Sequence, residues 1–503
     1  MRCEGWDLRQ RRATVTGFAG GEGPMALDVW NDPGVDSLLG EIRTLAGRPE
    51  VDQFFWLKAV AARNRAADDR SHELRFFNAA APPRNAKPPR DAVAPADGIY
   101  RIANIVLQGG GVLGIAHAGF VTGMETAGVR FAGIAGASAG AIMAMGMAAV
   151  RGDDLLTPTH RDVVAIVNAM PMSAFIDGPY RTRRLIKQFL LKRQSFLPSS
   201  WPAWLGAFRQ ILHQRGLNPG NAFEDWIRGV LAQHGLRTID DLLARLRTIS
   251  QQLNAAIVAA RKLGQQPLSS LEPVDHEGRQ LLQVMASCMP IGVKFQFPDD
   301  VRYLSGETGA NSPASLVRAS MSIPFFFEPA IFGVDKTNWK AFIDSKFGGL
   351  ASKEKLDDFR AVNEVAFLDG GIFSNLPVDA FSAILPDVPT IAVPLMNATP
   401  TKPYRRRARL SSLAGDVGTV AFMVRDQRDR DAIDVLDRRR QVFERRQIQA
   451  GATMPAKFPF RLAAINVQDA DWLNFAMGEK DQRDLFVMGL ERARDFLEQD
   501  LGG

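Results

Sequence analysis

Cysteine is nearly absent from the chain, which has only two of these residues, Cys3 and Cys288, among 503. A disulfide framework or a cysteine-based zinc site needs several cysteines at characteristic spacings. The low count therefore excludes both classes and favours a reducing, cytoplasmic site of action. No other pattern in the sequence indicates a metal ion or an organic cofactor, so we expect neither.

An apolar leader is also lacking. The opening segment, MRCEGWDLRQRRATVTG, is charged and has no apolar core, so it predicts no cleavable secretory signal. The longest apolar window, residues 131–150, has about the length of a membrane span. Because glycines interrupt this window and a serine lies near its middle, a buried turn and helix is the favoured interpretation. A membrane span is the alternative.

A strong excess of one charge is missing as well. The net charge is +6 and the isoelectric point is about 9.4, which is a small imbalance for this length. No array of basic and aromatic residues resembles a nucleic-acid module, so we expect no nucleic acid as partner. Residues 180–208 combine basic residues with tryptophans, which suits peripheral contact with a membrane surface. A lid helix packed on the core is the alternative for that segment.

Histidine is absent from the last two hundred residues, and the last of the six histidines is His276. Enzymes of the α/β-hydrolase type carry their catalytic histidine last, after the serine and the acid. A site of that order is therefore hard to build from this chain.

Composition divides the chain into three parts. Residues 79–98 are rich in proline and alanine and are typical of an extended linker, so we place a boundary near residue 97. Residues 1–97 are expected to form an N-terminal helical extension that offers a site for a protein partner. The main domain covers residues 98–398, with a helical insertion at about 155–280. Residues 399–503 are expected to be a C-terminal helical segment that packs on the main domain.

The main domain opens with two strand–helix units. Residues 102–107 form a short apolar run that enters a glycine-rich loop, and residues 115–127 are typical of a helix. Residues 130–137 repeat the strand pattern, and residues 139–152 repeat the helix pattern. Two such units in succession predict an α/β fold with parallel strands and crossover helices.

The loop after the first strand reads QGGGVLG over residues 108–114. Successive glycines expose backbone N–H groups, and a helix begins nearby, so the loop suits a phosphate or a developing oxyanion. A dinucleotide-binding loop is the alternative, but it requires an acidic residue at the end of the next strand. That strand ends in GASAG, and Glu125 lies within the preceding helix. The oxyanion interpretation is therefore favoured.

The GASAG segment, residues 136–140, matches the nucleophile-elbow pattern G-x-S-x-G. It lies between a predicted strand and a predicted helix, which is the context that this pattern requires. The serine hydroxyl would then project at the helix amino end, where negative charge is stabilised. Ser138 is therefore the candidate nucleophile, and a plain small-residue turn is the alternative.

A late strand, VAFLD, ends at Asp369 and is followed by two glycines. In a parallel sheet the carboxyl ends of the strands share one edge, so Gly110, Ser138 and Asp369 are expected to meet there. A partly buried carboxylate can act directly as a general base. Asp369 is the candidate base, and a structural turn at residues 369–371 is the alternative.

In this order, the glycine-rich loop, GASAG and DGG resemble the patatin-like phospholipase family over about residues 101–398. The segments ASMSIPFFFEPAIF, residues 319–332, and DGGIFSNLPVDAF, residues 369–381, are similar to further blocks of that family. The resemblance implies a three-layer α/β/α fold with a central, mostly parallel sheet, a helical insertion and an N-terminal helical extension. It also implies a Ser–Asp dyad that works without histidine.

The resemblance assigns roles by position. Ser138 would be the nucleophile and Asp369 the base. The N–H groups that would bind the oxyanion are those of Gly109, Gly110, Gly111 and Ala139. Further positions of the motifs are Gly114, Gly136, Gly140, Gly370 and Gly371, and Asn375 and Pro377 would shape the aspartate loop. Leu113 departs from the family, most members of which have Arg or Lys there, although some triacylglycerol lipases also have leucine.

The resemblance implies a serine acyl-ester hydrolase that acts on phospholipid or another acyl lipid, of the phospholipase A or lysophospholipase type. The alternatives are a triacylglycerol lipase or thioesterase of the same fold, or a regulated or inactive, membrane-associated interaction protein. Residues 333–364 form a longer insertion than the family usually has, and we expect it to gate the site or bind a partner.

Overall fold

The computed structural model describes residues 29–55, 57–61, 74–75, 100–180, 216–262, 277–289, 291–305, 311–382, 385, 388–396, 429–446, 449, 458–468, 470, 474 and 477–501. The proline-rich linker and all but the first residue of the basic, aromatic segment lie outside the described residues.

The described strands are β1 Lys58–Ala61, β2 Leu74–Arg75, β3 Tyr100–Leu107, β4 Val129–Ala137, β5 Gly216–Asn218, β6 Leu282–Cys288, β7 Val293–Phe297, β8 Phe325–Phe327, β9 Ala330–Gly333, β10 Glu364–Asp369, β11 Thr390–Val393, β12 Leu395–Met396, β13 Phe460–Leu462 and β14 Ile465–Asn466. The described α-helices are α1 Pro33–Leu45, α2 Pro49–Phe54, α3 Ile115–Thr126, α4 Ala139–Arg151, α5 His160–Asn168, α6 Asn221–Gln233, α7 Ile239–Lys262, α8 Pro313–Ser320, α9 Lys336–Phe347, α10 Lys353–Ala361, α11 Gly371–Ser374, α12 (residues 429–446) and α13 Glu479–Asp495.

One central sheet organises these elements. Its main path runs β13-β11-β3-β4-β6-β10-β9, and the pairs from β13 to β6 are all parallel. Strand β10 is antiparallel to both β6 and β9, β7 is antiparallel to β6, and β1 is antiparallel to β3. The predicted α/β class with a mostly parallel sheet is therefore confirmed.

The middle of the sheet is covered on both faces. Every residue of β3 and β4 is buried, as is usual for parallel strands between layers of helices and loops. A Cβ at Gly136 would lie 2.3 Å from the carbonyl carbon of Gly140 in α4, whereas one at Gly133 would lie 2.7 Å from the ring of Phe381. Since residues an odd number apart point to opposite faces of a strand, α4 and the segment around Phe381 cover different sides.

The apolar window of residues 131–150 is divided between β4 and α4, so the turn-and-helix interpretation is correct for it. Among the residues that the structure describes, no helix is both long enough and apolar enough to cross a membrane.

The predicted boundaries near residues 97 and 398 do not divide the sheet. Strand β1 lies before the first boundary, yet Lys58 pairs with Arg101 of β3. Strand β13 lies after the second boundary, yet Thr390 of β11 pairs with Phe460 of β13. The two outer segments are thus not purely helical, because each contributes a strand whose backbone groups pair with those of the central sheet.

The two outer segments also meet each other. Asp32 accepts the N–H groups of Gly34 and Val35 at the start of α1, and its carboxylate also pairs with Arg483 of α13. The guanidinium of Arg483 holds the pKa of Asp32 below its ordinary value. Helix α13 packs along α3, so the C-terminal helix covers the first crossover helix.

Glycine allows the close contact between α3 and α13. A Cβ at Gly119 would lie 1.9 Å from the carbonyl oxygen of Phe486, and one at Gly489 would lie 1.9 Å from that of Ala116. No side chain fits at such distances unless the helices separate. We therefore expect Gly119→Ala to reduce the free energy of unfolding by about 3 kcal/mol, because overpacking a buried contact forces the backbone to move.

Gly146 of α4 is a matched control, since it is also a buried helical glycine but has no atom within 4 Å of its added Cβ. Gly146→Ala should raise stability by roughly 0.5 kcal/mol, because alanine loses less backbone entropy in a helix. Urea unfolding followed by circular dichroism measures both changes. If Gly119→Ala matched the wild type, the close helix contact would be incorrect.

Candidate active site

Ser138 lies at a strained turn between β4 and α4. Its φ of 50° and ψ of −119° are values that residues other than glycine rarely adopt. The Ser138 carbonyl accepts the N–H groups of Ala141 and Ile142, which fixes the turn to the first turn of α4. Such strain persists only where the surrounding structure imposes it, and it is concentrated at functional sites.

The two glycines of GASAG bring the strand and the helix together. At Gly136 the strand lies directly against the backbone of Gly140, the second glycine of the motif. A Cβ at Gly140 would lie 2.1 Å from the carbonyl oxygen of Leu107 at the end of β3. Larger residues at either position would push α4 away from the sheet. The motif glycines thus have a steric role here, and Gly114 has a milder one, because its Cβ would lie 3.0 Å from that of Ala139.

Asp369 lies near Ser138, but the strand that carries it does not run in the expected direction. We expected a parallel strand whose carboxyl end shares an edge with that of β4, but β10 is antiparallel to β6. The pairing register aligns the two residues along β6: Ala137, just before Ser138, pairs with Met285, and Asp369 pairs with the next residue, Ala286. Ser138 and Asp369 therefore flank the same part of β6, with two strand spacings, about 10 Å, between their backbones.

The aspartate loop is held by one local hydrogen bond and by one from the neighbouring strand β6. The Gly371 N–H donates to Asp369 Oδ1 at 2.7 Å, and the Ser287 hydroxyl donates to the Asp369 carbonyl at 2.8 Å. A Cβ at Gly370 would lie 2.1 Å from the Met285 carbonyl oxygen, and one at Gly371 would lie 2.8 Å from Asp369 Oδ1. Both glycines are thus required by the tight fold of this loop around Asp369, a residue that is only 8% exposed.

Asn375 joins the aspartate loop to the glycine-rich loop. The Gly109 N–H donates to the Asn375 carbonyl at 3.0 Å, and the Asn375 Nδ2 donates to the Gly109 carbonyl at 3.2 Å. This reciprocal pair corrects one expectation, since the Gly109 N–H is engaged with Asn375 and is not directed at an oxyanion. Pro377 starts the next turn, in which its carbonyl accepts the Ala380 N–H at 3.0 Å.

Of the remaining predicted donors, Gly111 and Ala139 line the same cavity as Ser138. Gly110 has an extended backbone, and Gly111 has a φ of 56° and begins a short 3₁₀ turn. Ala139 is the first residue of α4, so its N–H has no acceptor within that helix. The helix amino end also favours negative charge. Oxyanion binding by Gly110, Gly111 and Ala139 stays a prediction.

An apolar cavity opens beside Ser138. Its volume is about 590 Å³, counted together with its open mouth. The cavity is lined by Gly111, Val112, Gly114, Ile115, Ser138, Ala139, Ile142, Met143, Val167, Met170, Met172, Phe175, Met321, Ile323 and Phe327. None of these lining residues is charged. Methionine side chains adapt to irregular apolar ligands, so the cavity suits a flexible hydrocarbon chain.

Leu113 is buried in the glycine-rich loop, where most members of the family that the motifs resemble have a basic residue. The loop therefore offers no cation at that position to an anionic group of a substrate.

His117 has a structural position. It is fully buried in α3, and its Nε2 lies 3.2 Å from the Val393 carbonyl oxygen. Burial lowers the pKa of His117 to about 4, because the charged imidazolium would lose its hydration. The ring is thus neutral at physiological pH, and its one described hydrogen bond points to β11.

The Glu125 carboxylate is directed at the start of α5 and not at the glycine-rich loop, where a dinucleotide would bind. Its carboxylate accepts the N–H groups of Thr159 and His160 at 2.6 and 2.8 Å and the Nδ1 hydrogen of His160 at 2.8 Å. Burial alone would raise the pKa of Glu125, but the hydrogen bonds and charges of His160 and Arg130 outweigh it and lower the pKa. Glu125 therefore caps the start of α5.

Ser320 is a site residue to which the sequence analysis assigned no role. Its hydroxyl oxygen accepts the Ser138 N–H at 3.0 Å, and its carbonyl accepts the Gly370 N–H at 3.0 Å. Ser320 belongs to the block ASMS, residues 319–322, which resembles a segment of the patatin-like family. Nothing in that local pattern indicates which distant backbone group the serine contacts.

The chain is similar to known proteins in the region of this site. The family described as patatin-like phospholipase matches residues 105–382. The uncharacterized protein YqhO of Bacillus subtilis strain 168 is 27% identical over 277 residues, which are 55% of this chain and 66% of that protein. The chain thus spans slightly less than two thirds of that relative's length. The crystal structure of VipD from Legionella pneumophila aligns with a TM-score of 0.29 and 14% identity, over 78% of this chain and 68% of that one.

Proposed function

We propose that this chain, which belongs to the patatin-like phospholipase family, hydrolyses acyl esters of lipids through a dyad of Ser138 and Asp369. The observation that carries the proposal is the strained Ser138 at the amino end of α4, where it lines a cavity without charged residues. A positive φ at a residue that is not glycine is costly, and exposure of a nucleophile to its substrate site is a reason to retain it.

In the proposed reaction, Asp369 takes the proton of the Ser138 hydroxyl as the serine oxygen attacks the ester carbonyl carbon. The N–H groups of Gly110, Gly111 and Ala139 stabilise the negative charge on the carbonyl oxygen. Collapse of this intermediate breaks the ester bond, and the alcohol leaves with the proton from Asp369. Water then attacks the acyl-enzyme carbonyl carbon while Asp369 takes one of its protons. The bond between the acyl group and the Ser138 oxygen breaks, Asp369 returns the proton to that oxygen, and the fatty acid leaves.

The cavity supports an acyl chain as the part of the substrate that is bound beside the serine. Its walls are apolar side chains and backbone, so a charged headgroup would lose its hydration there without a compensating partner. We therefore assign the cavity to the fatty acyl chain and the open side of the site to the alcohol portion. Phospholipids and lysophospholipids are the proposed substrates.

A triacylglycerol lipase is a second candidate, and the buried Leu113 favours it. A neutral ester needs no cation near the glycine-rich loop, whereas a phosphate group close to that loop would gain from one. A thioesterase of the same fold shares the acyl cavity and the dyad, and nothing on the alcohol side of the site favours it over the ester hydrolases.

Fatty acid release from defined lipids tests the proposed function. The wild type is incubated with phosphatidylcholine vesicles, lysophosphatidylcholine and a triacylglycerol emulsion, and free fatty acid is quantified by mass spectrometry. We expect release from the phospholipids, and faster release from triacylglycerol would select the second candidate. A folded protein that released fatty acid from none of them would contradict the proposal.

We also propose a cytoplasmic location with peripheral contact to membranes and a protein partner for residues 1–97. The membrane contact rests on the sequence of residues 180–208, most of which lie outside the described residues. Residues 29–55 pack on the main domain, so a partner of this region would bind close to α1 and α13. A regulated interaction protein is the alternative, and fatty acid release by the isolated chain would argue against it.

A further inference from the structure

We propose that Ser320 is a positioning residue that holds the turn of Ser138 and the loop of Asp369 in fixed relation. This inference rests on the proposed function, because it explains how the two members of the dyad are brought into register. Ser320 lies 182 residues beyond Ser138 in the chain and is completely buried.

The hydroxyl and the carbonyl of Ser320 both form hydrogen bonds at the site. Its hydroxyl oxygen accepts the N–H of the nucleophile turn, and its carbonyl accepts the N–H of the residue after the base. Two residues later, the Ser322 carbonyl accepts the Asp369 N–H at 2.8 Å. The end of α8 thus binds backbone groups on both sides of the dyad, across the strand β6 that separates them.

The strained turn needs such support. Ser138 remains at a φ of 50° only if its neighbours hold it there, and a fixed acceptor for its N–H is one restraint of that kind. The same hydrogen bond occupies the Ser138 N–H, so this group is not a donor to an oxyanion, whereas the adjacent Ala139 N–H lies at the amino end of α4. Ser320 would therefore influence both the nucleophile's direction and the identity of the oxyanion donors.

The end of α8, which carries Ser320, is held in place by hydrogen bonds of Arg318. The Arg318 guanidinium is buried and donates to the Ser322 hydroxyl and to the carbonyls of Pro219 and Glu328, at 2.6, 2.6 and 2.8 Å. It also leaves no room for a side chain at Gly220, where a Cβ would lie 2.3 Å from Arg318 Nε. A support residue on a rigid element can hold reacting groups within the small tolerance that catalysis requires.

Ser320→Ala tests the proposal, since it removes the hydroxyl acceptor but keeps the carbonyl that binds the Gly370 N–H. We expect kcat for fatty acid release to fall by about 100-fold with little change in KM, because a small misplacement of a reacting group has an effect of this size. The rate of labelling by a fluorophosphonate probe should fall in parallel. Amide hydrogen exchange at Ser138 should become faster, and this readout does not depend on catalysis.

Ser315→Ala is the matched control. It removes another buried hydroxyl of α8, at the opposite end of the helix, where the Ser315 hydroxyl donates to the Ser312 carbonyl at 2.7 Å. Ser315→Ala and Ser320→Ala each remove one buried hydroxyl, so both should lower thermal stability by similar amounts, but only Ser320→Ala should change kcat and exchange at Ser138. If the two variants lost activity equally, Ser320 would have a general structural role and the proposal would be overturned.

Ser320→Cys keeps the test decisive if Ser320→Ala fails to fold. Cysteine is close in size to serine, but its sulfur is a weak acceptor, so we expect an activity between that of the wild type and about one hundredth of it. A wild-type kcat in either folded Ser320 variant would overturn the positioning role of Ser320 but not the proposed function. Fatty acid release that survives in Ser138→Ala would overturn the proposed function, and with it the role of Ser320.

Discussion

Ser138→Ala is expected to abolish fatty acid release, with a fall in kcat of roughly 10⁶-fold, which is the size of effect seen when a serine hydrolase loses its nucleophile. Labelling by a fluorescent fluorophosphonate should disappear at the same time, since the probe forms its bond with an activated serine oxygen. The cavity, the glycine-rich loop and the aspartate loop remain in place, so substrate binding should persist. Fatty acid release and gel fluorescence measure the two effects.

Ser138→Gly is the control for folding. Both variants lack the hydroxyl and should be equally inactive, but glycine adopts a φ of 50° without strain, whereas alanine does not. We expect Ser138→Gly to be more stable than Ser138→Ala by about 1 kcal/mol, as measured by urea unfolding. Hydrolysis that survived in both variants would exclude Ser138 as the nucleophile. Equal stability would contradict the strained turn.

Asp369→Asn has the second largest expected effect, a fall in kcat of about 10³-fold, because the amide cannot accept a proton from the serine. Asparagine keeps an oxygen that can accept the Gly371 N–H, which lies 2.7 Å from Asp369 Oδ1. The loop should therefore keep its shape, and the melting temperature should change little. A loss of activity without a loss of stability assigns a chemical role to the carboxylate.

Asp379→Asn is a suitable comparison for this change. Asp379 is an exposed carboxylate in the same part of the chain, and it pairs with Lys294 at 3.3 Å. Its replacement should leave fatty acid release within a factor of two, since an exposed ion pair contributes little to stability. If Asp369→Asn behaved like Asp379→Asn, another group would have to act as the base, and the dyad would be rejected.

The elbow and the glycine-rich loop could be predicted from the sequence because both are local. A buried strand, a tight turn and a helix follow each other within 52 residues, from Tyr100 to Arg151, and their patterns depend on neighbours in the chain. The glycines of GASAG are required by contacts with the strand and helix next to them, so the motif itself indicated the shape. The α/β class followed from the same alternation.

The outer parts of the chain show where local patterns were insufficient. Residues 1–97 were expected to form a helical extension, but helix α2 ends at Phe54 and Lys58–Ala61 form strand β1. That strand exists because its backbone pairs with β3, and such pairing has no local pattern of its own. The same reason explains β13, which lies in a segment that was predicted to be helical.

The chemical groups available to this protein can be found in its amino-acid sequence alone: a serine on a tight turn, glycines before it, and an aspartate at a strand end. How these groups are arranged in space depends on the tertiary fold. The antiparallel direction of β10, its register with Ala286, the use of the Gly109 N–H by Asn375 and the contact of Ser320 with Ser138 all join residues that are distant in the chain. Local propensity governs a few residues at a time, whereas register and long-range hydrogen bonds depend on how whole strands and helices pack.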